Sequence, residues 1–142
     1  MNALYRGWSA LMFLLIILQV GFAGYGAFAI ARDVGDAKTI NEDKFEDYFG
    51  LHMGFGYLVV LAGLIFLLIG VAGGVGKWRL GRHGLLALLL VIQVLLAWIG
   101  SEQPVVGFLH PVNALLIFTV AGWIAWGEWR TSRGVAQPAA PA

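Results

Sequence analysis

Two histidines are the residues of this chain whose type and setting are best suited to chemistry. His52 and His110 each follow a leucine, and each lies within a long apolar stretch. A polar side chain inside a membrane segment generally marks a functional site, and an imidazole there can ligate a metal ion. The alternative is that each histidine is an interfacial polar residue near a helix end.

The elements that must position these histidines are four apolar stretches. Hydrophobic residues make up 60% of the 142-residue chain and charged residues 12%, with a mean hydropathy of +0.82. A soluble domain keeps roughly a quarter of its residues charged, and a membrane-spanning helix needs roughly 20 apolar residues. The sequence predicts an all-α integral membrane four-helix bundle, up-down-up-down, in a single domain over 1–133. Its helices are expected at about 8–31, 49–74, 84–100 and 105–126, followed by a flexible C-terminal tail over 134–142.

Charge and cysteine content exclude several classes of function. The net charge is +1 without a basic tract, so nucleic acid is not an expected partner. The chain has no cysteine, which excludes disulfides, iron–sulfur clusters and covalent haem attachment. By the positive-inside rule, the multi-pass chain is expected in the cell membrane with both termini cytoplasmic. The cations on that side are Arg6, Lys77, Arg79, Arg82, Arg130 and Arg133, against Arg32, Lys38 and Lys44 on the other.

A weak two-fold internal repeat links the two halves of the chain. Gln19 and Gln93 are each followed by valine, then by alanine four residues and glycine seven residues after the glutamine. The two histidines are each followed by small residues at the fourth and eleventh positions after them. These positions carry Gly56 and Gly63 after the first histidine, and Ala114 and Ala121 after the second.

The repeat predicts a haem site. In an up-down-up-down bundle the second and fourth helices are diagonal, and their axes should lie about 11–14 Å apart when neighbours are about 8–10 Å apart. Two histidines at matched depth then suit the two faces of one haem b, since histidine is an axial ligand of haem iron. A flat macrocycle also needs small residues beside it. The expected lining is Gly56, Gly63, Ala114 and Ala121, with Gly26 and Ala97 at similar depth.

Other polar residues have open interpretations. Asn113, three residues after His110, is expected either to bond a carbonyl freed by Pro111 or to orient a haem or a quinone. Arg32 is the expected partner of the haem propionates, although the outer cations could equally belong to a solvated loop. We expect His83 to be interfacial, at the start of the third helix. Gln19 and Gln93 are expected to bond each other or a buried water.

Paired transmembrane histidines on alternate helices, each in a Leu-His pair, resemble one four-helix half of haem A synthase. The resemblance covers about residues 8–126 and implies haem ligation by His52 and His110. It does not imply the synthase reaction, because the synthase has two such halves. The synthase also has an acidic residue one turn before its first histidine, where this chain has Phe49.

These observations favour a membrane b-type cytochrome with one bis-histidine haem near the outer leaflet, for electron transfer or haem handling. Six-coordinate iron has no open position, so electron transfer or an accessory role is expected rather than catalysis. The expected partners are the lipid bilayer and a quinone or a membrane redox complex. The alternative is a cofactor-free accessory subunit of a larger membrane complex. A transporter or channel ranks last, because the helices offer few polar groups for a pathway.

Overall fold

The computed structural model describes residues 2–133, which are almost entirely helical and contain no strand within that range. Four of its helices are long and one is a single turn. They are α1 (Asn2–Gly35), α2 (Glu42–Ala72), α3 (Lys77–Glu102), the short α4 (Pro104–Gly107) and α5 (Leu109–Arg133). The tail expected over 134–142 lies outside the described residues.

Four segments are long and apolar enough to cross a membrane, with α4 and α5 together forming the fourth. The chain is therefore a multi-pass membrane protein, and the predicted all-α bundle is confirmed. Each helix is longer than its apolar stretch; α3, for example, begins at Lys77 rather than near residue 84. The reason is that hydropathy marks only the apolar middle of a span, whereas backbone hydrogen bonds continue the helix into its polar flanks.

Local signals set two of the helix starts. Asn41 caps α2, where its side-chain oxygen accepts a hydrogen bond from the Lys44 backbone N–H at 3.1 Å. At the α3–α4 connection, on the same end of the bundle as Asn41, Pro104 stands in the first turn of α4, where its missing N–H is not needed. We name this end of the bundle the outer end and the opposite end, where α1 begins and α5 ends, the inner end, as labels for the two ends only. Gly100 and Gly107 meet backbone to backbone, and a Cβ on Gly100 would lie 2.5 Å from the Gly107 Cα. This contact lets α5 start close beside the end of α3.

The long helices form a ring in which each packs against two others. α1 contacts α2 and α5, and α3 contacts the same two helices. The diagonal pairs are therefore α1 with α3 and α2 with α5. Since short connections join consecutive helices, neighbours run antiparallel. The two histidine-bearing helices face each other across the bundle axis, as the up-down-up-down prediction requires.

The buried core follows the internal repeat. A shift of 74 residues (19 to 93) relates α1 to α3, and a shift of 58 residues (52 to 110) relates α2 to α5. Positions related by these shifts are buried together in the middle of the bundle. The matched pairs are Met12 with Leu86, Ile16 with Leu90, Val59 with Ile117, and Phe66 with Ile124, each at most 4% exposed.

These eight side chains form what we call the apolar middle layer, which lies below the histidines and above the inner helix ends. Lipid tails are as apolar as these side chains, so close packing rather than exclusion from water holds the layer together. Gly63 provides one close approach, because a Cβ at this position would overlap Leu90 Cδ1 and lie 3.7 Å from Met12 Cε. The described core thus has an apolar, closely packed layer at this level.

Candidate functional site

His52 and Gln19 form a reciprocal pair of hydrogen bonds between α2 and α1. The Gln19 side-chain Nε2 donates to the His52 carbonyl oxygen at 2.9 Å. In return, the His52 ring nitrogen Nδ1 lies 3.2 Å from the Gln19 carbonyl oxygen. Each residue therefore bonds the main chain of the other, which fixes both the height of the two helices and the orientation of the imidazole.

His110 and Gln93 repeat this arrangement between α5 and α3. Gln93 Nε2 donates to the His110 carbonyl oxygen at 3.0 Å, and His110 Nδ1 lies 3.1 Å from the Gln93 carbonyl oxygen. The expectation that the two glutamines bond each other is not what the structure has. Each glutamine reaches its neighbouring helix instead, because the ring topology places α1 and α3 on a diagonal.

These contacts fix which imidazole nitrogen carries the hydrogen. A carbonyl oxygen can only accept a hydrogen bond, so Nδ1 of each ring must be the N–H donor. In the neutral ring, Nε2 then keeps its lone pair and is free to ligate. Metal-ligating histidines are commonly held in this manner, with the second nitrogen donating to a carbonyl or carboxylate.

The two imidazoles lie beside each other in the bundle centre. Their ring centroids are 6.3 Å apart and their planes are inclined by 70°. Both rings line a cavity of about 340 Å³, which lies within the range of about 300–1,000 Å³ usual for ligand pockets. All four long helices contribute to its wall. Besides the histidines and glutamines it is lined by Ile16, Val20, Met53, Gly56, Tyr57, Val59, Val60, Leu90, Val94, Ala97, Trp98, Ser101, Ala114 and Ile117.

Three of the predicted small residues, Gly56, Ala97 and Ala114, lie in the cavity wall. Gly56 has a second role, since a Cβ there would come within 2.9 Å of Gln19 Nε2. A side chain at this position would therefore displace the amide that bonds His52. Glycine serves the hydrogen-bonded pair here as well as the volume of the cavity.

The other three predicted small residues lie outside the cavity wall. Gly63 and Ala121 belong to the core below it, where Gly63 makes room for Leu90 and Ala121 is fully buried. Gly26 lies against α2, and a Cβ there would be 3.0 Å from the Phe49 ring and from the Tyr48 carbonyl oxygen. These small residues allow helices to approach each other.

Asn113 supports the second glutamine. Its Nδ2 donates to the Gln93 side-chain oxygen at 2.7 Å and to the Leu89 carbonyl oxygen at 2.9 Å. It is 6% exposed and does not line the cavity. The side chain thus bonds α3, not a carbonyl of its own helix near Pro111.

Arg32 lies in a charged cluster at the outer end, away from the cavity wall. The centre of the cluster is the buried carboxylate of Asp33, which accepts hydrogen bonds from Arg32, Lys38, Lys44 and the Tyr48 hydroxyl. The hydrogen bonds of Lys38 to Asp33 and then to Asp36 raise the pKa of this lysine above its ordinary value. The sequence analysis did not single out Asp33, although Arg32, Lys38 and Lys44 all lie within twelve residues of it.

His83 is buried between helices near the start of α3, and its position at the membrane interface stays a prediction. It is 2% exposed and packs between the rings of Tyr5 and Phe66. The early start of α3 places it two turns inside the helix. Gly70 leaves room for the ring, since a Cβ at Gly70 would lie 2.8 Å from His83 Nδ1.

Glu128, which sequence reasoning also missed, is buried at the same end. Its carboxylate accepts two hydrogen bonds from the guanidinium of Arg79, one of them from Nε at 3.0 Å. Arg79 lies over the Tyr5 ring, 5.1 Å from its centre, and the Tyr5 hydroxyl donates to the Ile69 carbonyl oxygen. These contacts tie the inner ends of all four long helices together.

Across the part of the chain that the structure describes, no group of three or more His, Cys, Asp or Glu side chains could hold a metal ion. No protein-family model, curated protein or solved structure matches the chain. The resemblance to one half of haem A synthase therefore stays a prediction.

Proposed function

We propose that this membrane protein holds one haem b between His52 and His110, as a b-type cytochrome for electron transfer or haem handling. The observation that carries the proposal is the pair of imidazoles in one cavity, each with Nδ1 bonded to a main-chain carbonyl. This leaves two Nε2 lone pairs available to a single ligand.

The separation of the rings supports one shared metal ion. A metal ion lies about 2 Å from a ligating imidazole nitrogen and hence about 3 Å from the ring centre. Two rings on opposite sides of one ion should then have centres about 6 Å apart, by the same distances. The distance between the His52 and His110 centroids is 6.3 Å.

The composition of the site favours a macrocycle over a bare ion. The described residues provide two nitrogen ligands and no cluster of three, which is too few for a closed structural metal site. A bound haem brings its own equatorial nitrogens and supplies a one-electron carrier. The wall around the histidines is mostly apolar, with Gly56, Ala97 and Ala114 providing space for a flat ligand.

The residues of the chain then bind and orient the group. The glutamine pairs hold each imidazole in one tautomer, and the apolar middle layer excludes water from below. With both axial positions filled, the chain offers electron transfer rather than oxygen chemistry. Its redox partner is proposed to be a membrane quinone or a membrane redox complex.

We also propose that both termini face the cytoplasm of the cell membrane. Arg32, Lys38 and Lys44 at one end of the bundle all bond Asp33. The opposite end carries an excess of cations over its buried acid, Glu128. Such an excess is retained on the cytoplasmic side.

The test is the visible spectrum of the purified protein before and after dithionite. A Soret band with sharp reduced α and β bands is expected, together with its loss in His52→Ala and in His110→Ala. His83→Gln is the matched control, because it removes the third histidine and should leave the spectrum unchanged. Circular dichroism checks that each variant is folded. A folded double histidine variant that keeps the same bands would refute haem ligation.

A cofactor-free accessory subunit is the second candidate. The observation in its favour is that the histidine–glutamine bonds already satisfy each Nδ1 and join neighbouring helices without a ligand. It predicts a colourless protein that co-purifies with other subunits and does not take up added haem. A transporter is disfavoured by the apolar middle layer, which offers no polar path through the described core.

A further inference from the structure

The exposed part of the cavity wall lies on one side of the bundle. Six of the lining residues are exposed, and five of these belong to α2 or α3. The single exception is Val20 on α1. The five are Met53 and Tyr57 on α2, and Ala97, Trp98 and Ser101 on α3. The cavity therefore opens along the seam where α2 packs against α3.

The internal repeat supplies an equivalent seam between α5 and α1, where α5 contributes no exposed residue to the cavity wall and α1 contributes only Val20. The positions equivalent to Met53, Tyr57, Trp98 and Ser101 all belong to the described residues, and none of them lines the cavity. They are Pro111, Leu115, Gly24 and Ala27. The opening is thus a property of one seam rather than of the bundle type.

The surroundings of this opening are apolar. Tyr57 lies in the middle of α2 and Trp98 in the outer third of α3, both within membrane-spanning segments. Their side chains are 60% and 73% exposed and flank the opening.

Access from the inner end is closed. Below the histidines, the apolar middle layer fills the bundle with side chains at most 4% exposed. A ligand that reaches the Nε2 atoms of both histidines must therefore enter from the side or from the outer end, and five of the six exposed wall residues mark the seam between α2 and α3.

We propose that the ligand of the histidine pair enters sideways from the membrane, through the seam between α2 and α3. The inference rests on the proposed function. The ligand would then be a flat macrocycle that is dissolved in the lipid phase, rather than one delivered from water. Tyr57 and Trp98 flank the entrance, whereas α5 contributes no exposed residue to the cavity wall.

The absence of cysteine in the sequence allows a clean test. Tyr57→Cys and Leu115→Cys are matched variants, since the two residues are repeat-equivalent and are 60% and 69% exposed. Each variant is reconstituted without haem into phosphatidylcholine vesicles and labelled with a bulky, lipid-permeant maleimide. Vesicles of the same lipid that contain haemin are then added. The rate at which the Soret band appears is measured for the labelled and the unlabelled protein.

The label on Tyr57→Cys should slow haem uptake about tenfold or more, which corresponds to a barrier of about 1.4 kcal/mol. The label on Leu115→Cys should leave the rate unchanged. Equal rates for both labelled variants, fast or slow, would overturn the entrance while haem uptake by unlabelled protein upholds the proposed function. If the unlabelled parent chain takes up no haem, the entrance and the proposed function both fall.

Discussion

The two halves of the bundle share one device and differ around it. In the first half α1 and α2 carry Gln19 and His52, and in the second half α3 and α5 carry Gln93 and His110. Each half has the same two hydrogen bonds between its glutamine and its histidine. The buried core positions are also matched between the halves, but most of the side chains at them differ. Symmetry is thus kept at the two imidazoles and their glutamines, whereas the contacts at the ends of the bundle differ between the halves.

The inner ends show the difference most clearly. In the second half Arg79 and Glu128 form a buried ion pair, whereas the equivalent positions in the first half are Tyr5 and Gly70. Tyr5 bonds a main-chain carbonyl instead, and Gly70 leaves its space to His83. At this end the second half thus uses an ion pair, whereas the first half uses the Tyr5 hydroxyl and a glycine that accommodates the His83 ring of α3.

The largest expected effect comes from breaking the charged contact. Glu128→Gln should lower the free energy of unfolding by about 3 kcal/mol, because it leaves the Arg79 guanidinium partly buried without its carboxylate. Asp36→Asn is the control, since the pair of Asp36 with Lys38 is exposed and should contribute about 0.5 kcal/mol or less. Unfolding in mixed micelles with increasing denaturing detergent measures both. Equal losses of stability in the two variants would contradict the predicted difference between the buried and the exposed ion pair.

A second prediction concerns the space given to His83. Gly70→Ala should lower stability by about 1–3 kcal/mol, because the added Cβ would come within 2.8 Å of His83 Nδ1 in a packed core. Gly54→Ala on the same helix is the matched control, since no atom lies within 4 Å of a Cβ there. Thermal unfolding followed by circular dichroism compares them. If Gly70→Ala is as stable as Gly54→Ala, the ring is free to move aside.

The two glutamines should also differ. Gln93→Leu should destabilise the bundle by about 1 kcal/mol more than Gln19→Leu, because it also removes the acceptor of the buried Asn113 amide. The side-chain oxygen of Gln19 has no such partner. Denaturing-detergent titration of both variants measures the difference. Equal midpoints would show that Asn113 adds nothing to the second half.

The smallest effect on stability is expected when a residue of the first half is replaced by its counterpart from the second half. Phe55 occupies the position equivalent to Asn113. Phe55→Asn should offer Gln19 a hydrogen bond of about 1 kcal/mol but lose an edge-to-face contact with Phe22 of similar size. Stability should therefore stay within about 0.5 kcal/mol of the parent chain. A loss as large as that of Phe55→Ala would show that the new amide does not reach Gln19.

Sequence reasoning predicted the number of helices, their order and the diagonal placement of the histidine-bearing pair, because hydropathy and short connections determine these features. It did not predict that the glutamines bond the histidine carbonyls, since that depends on helix rotation and height. Arg32 was assigned to a ligand, but the structure gives it to Asp33, whose burial the sequence does not reveal. All six small residues were predicted to give space to a ligand, whereas Gly26 and Gly63 make space for side chains or backbone of neighbouring helices.

The acceptor for each imidazole N–H is a main-chain carbonyl, of residue 19 or residue 93. Every amino acid carries this atom, so no substitution at either position deletes it. Homologues could therefore lose both glutamine side chains over evolutionary time and still present their histidines in the same tautomer. Divergent homologues should therefore be recognised by the helix geometry around the paired histidines in their structures, and not by the glutamines in their sequences.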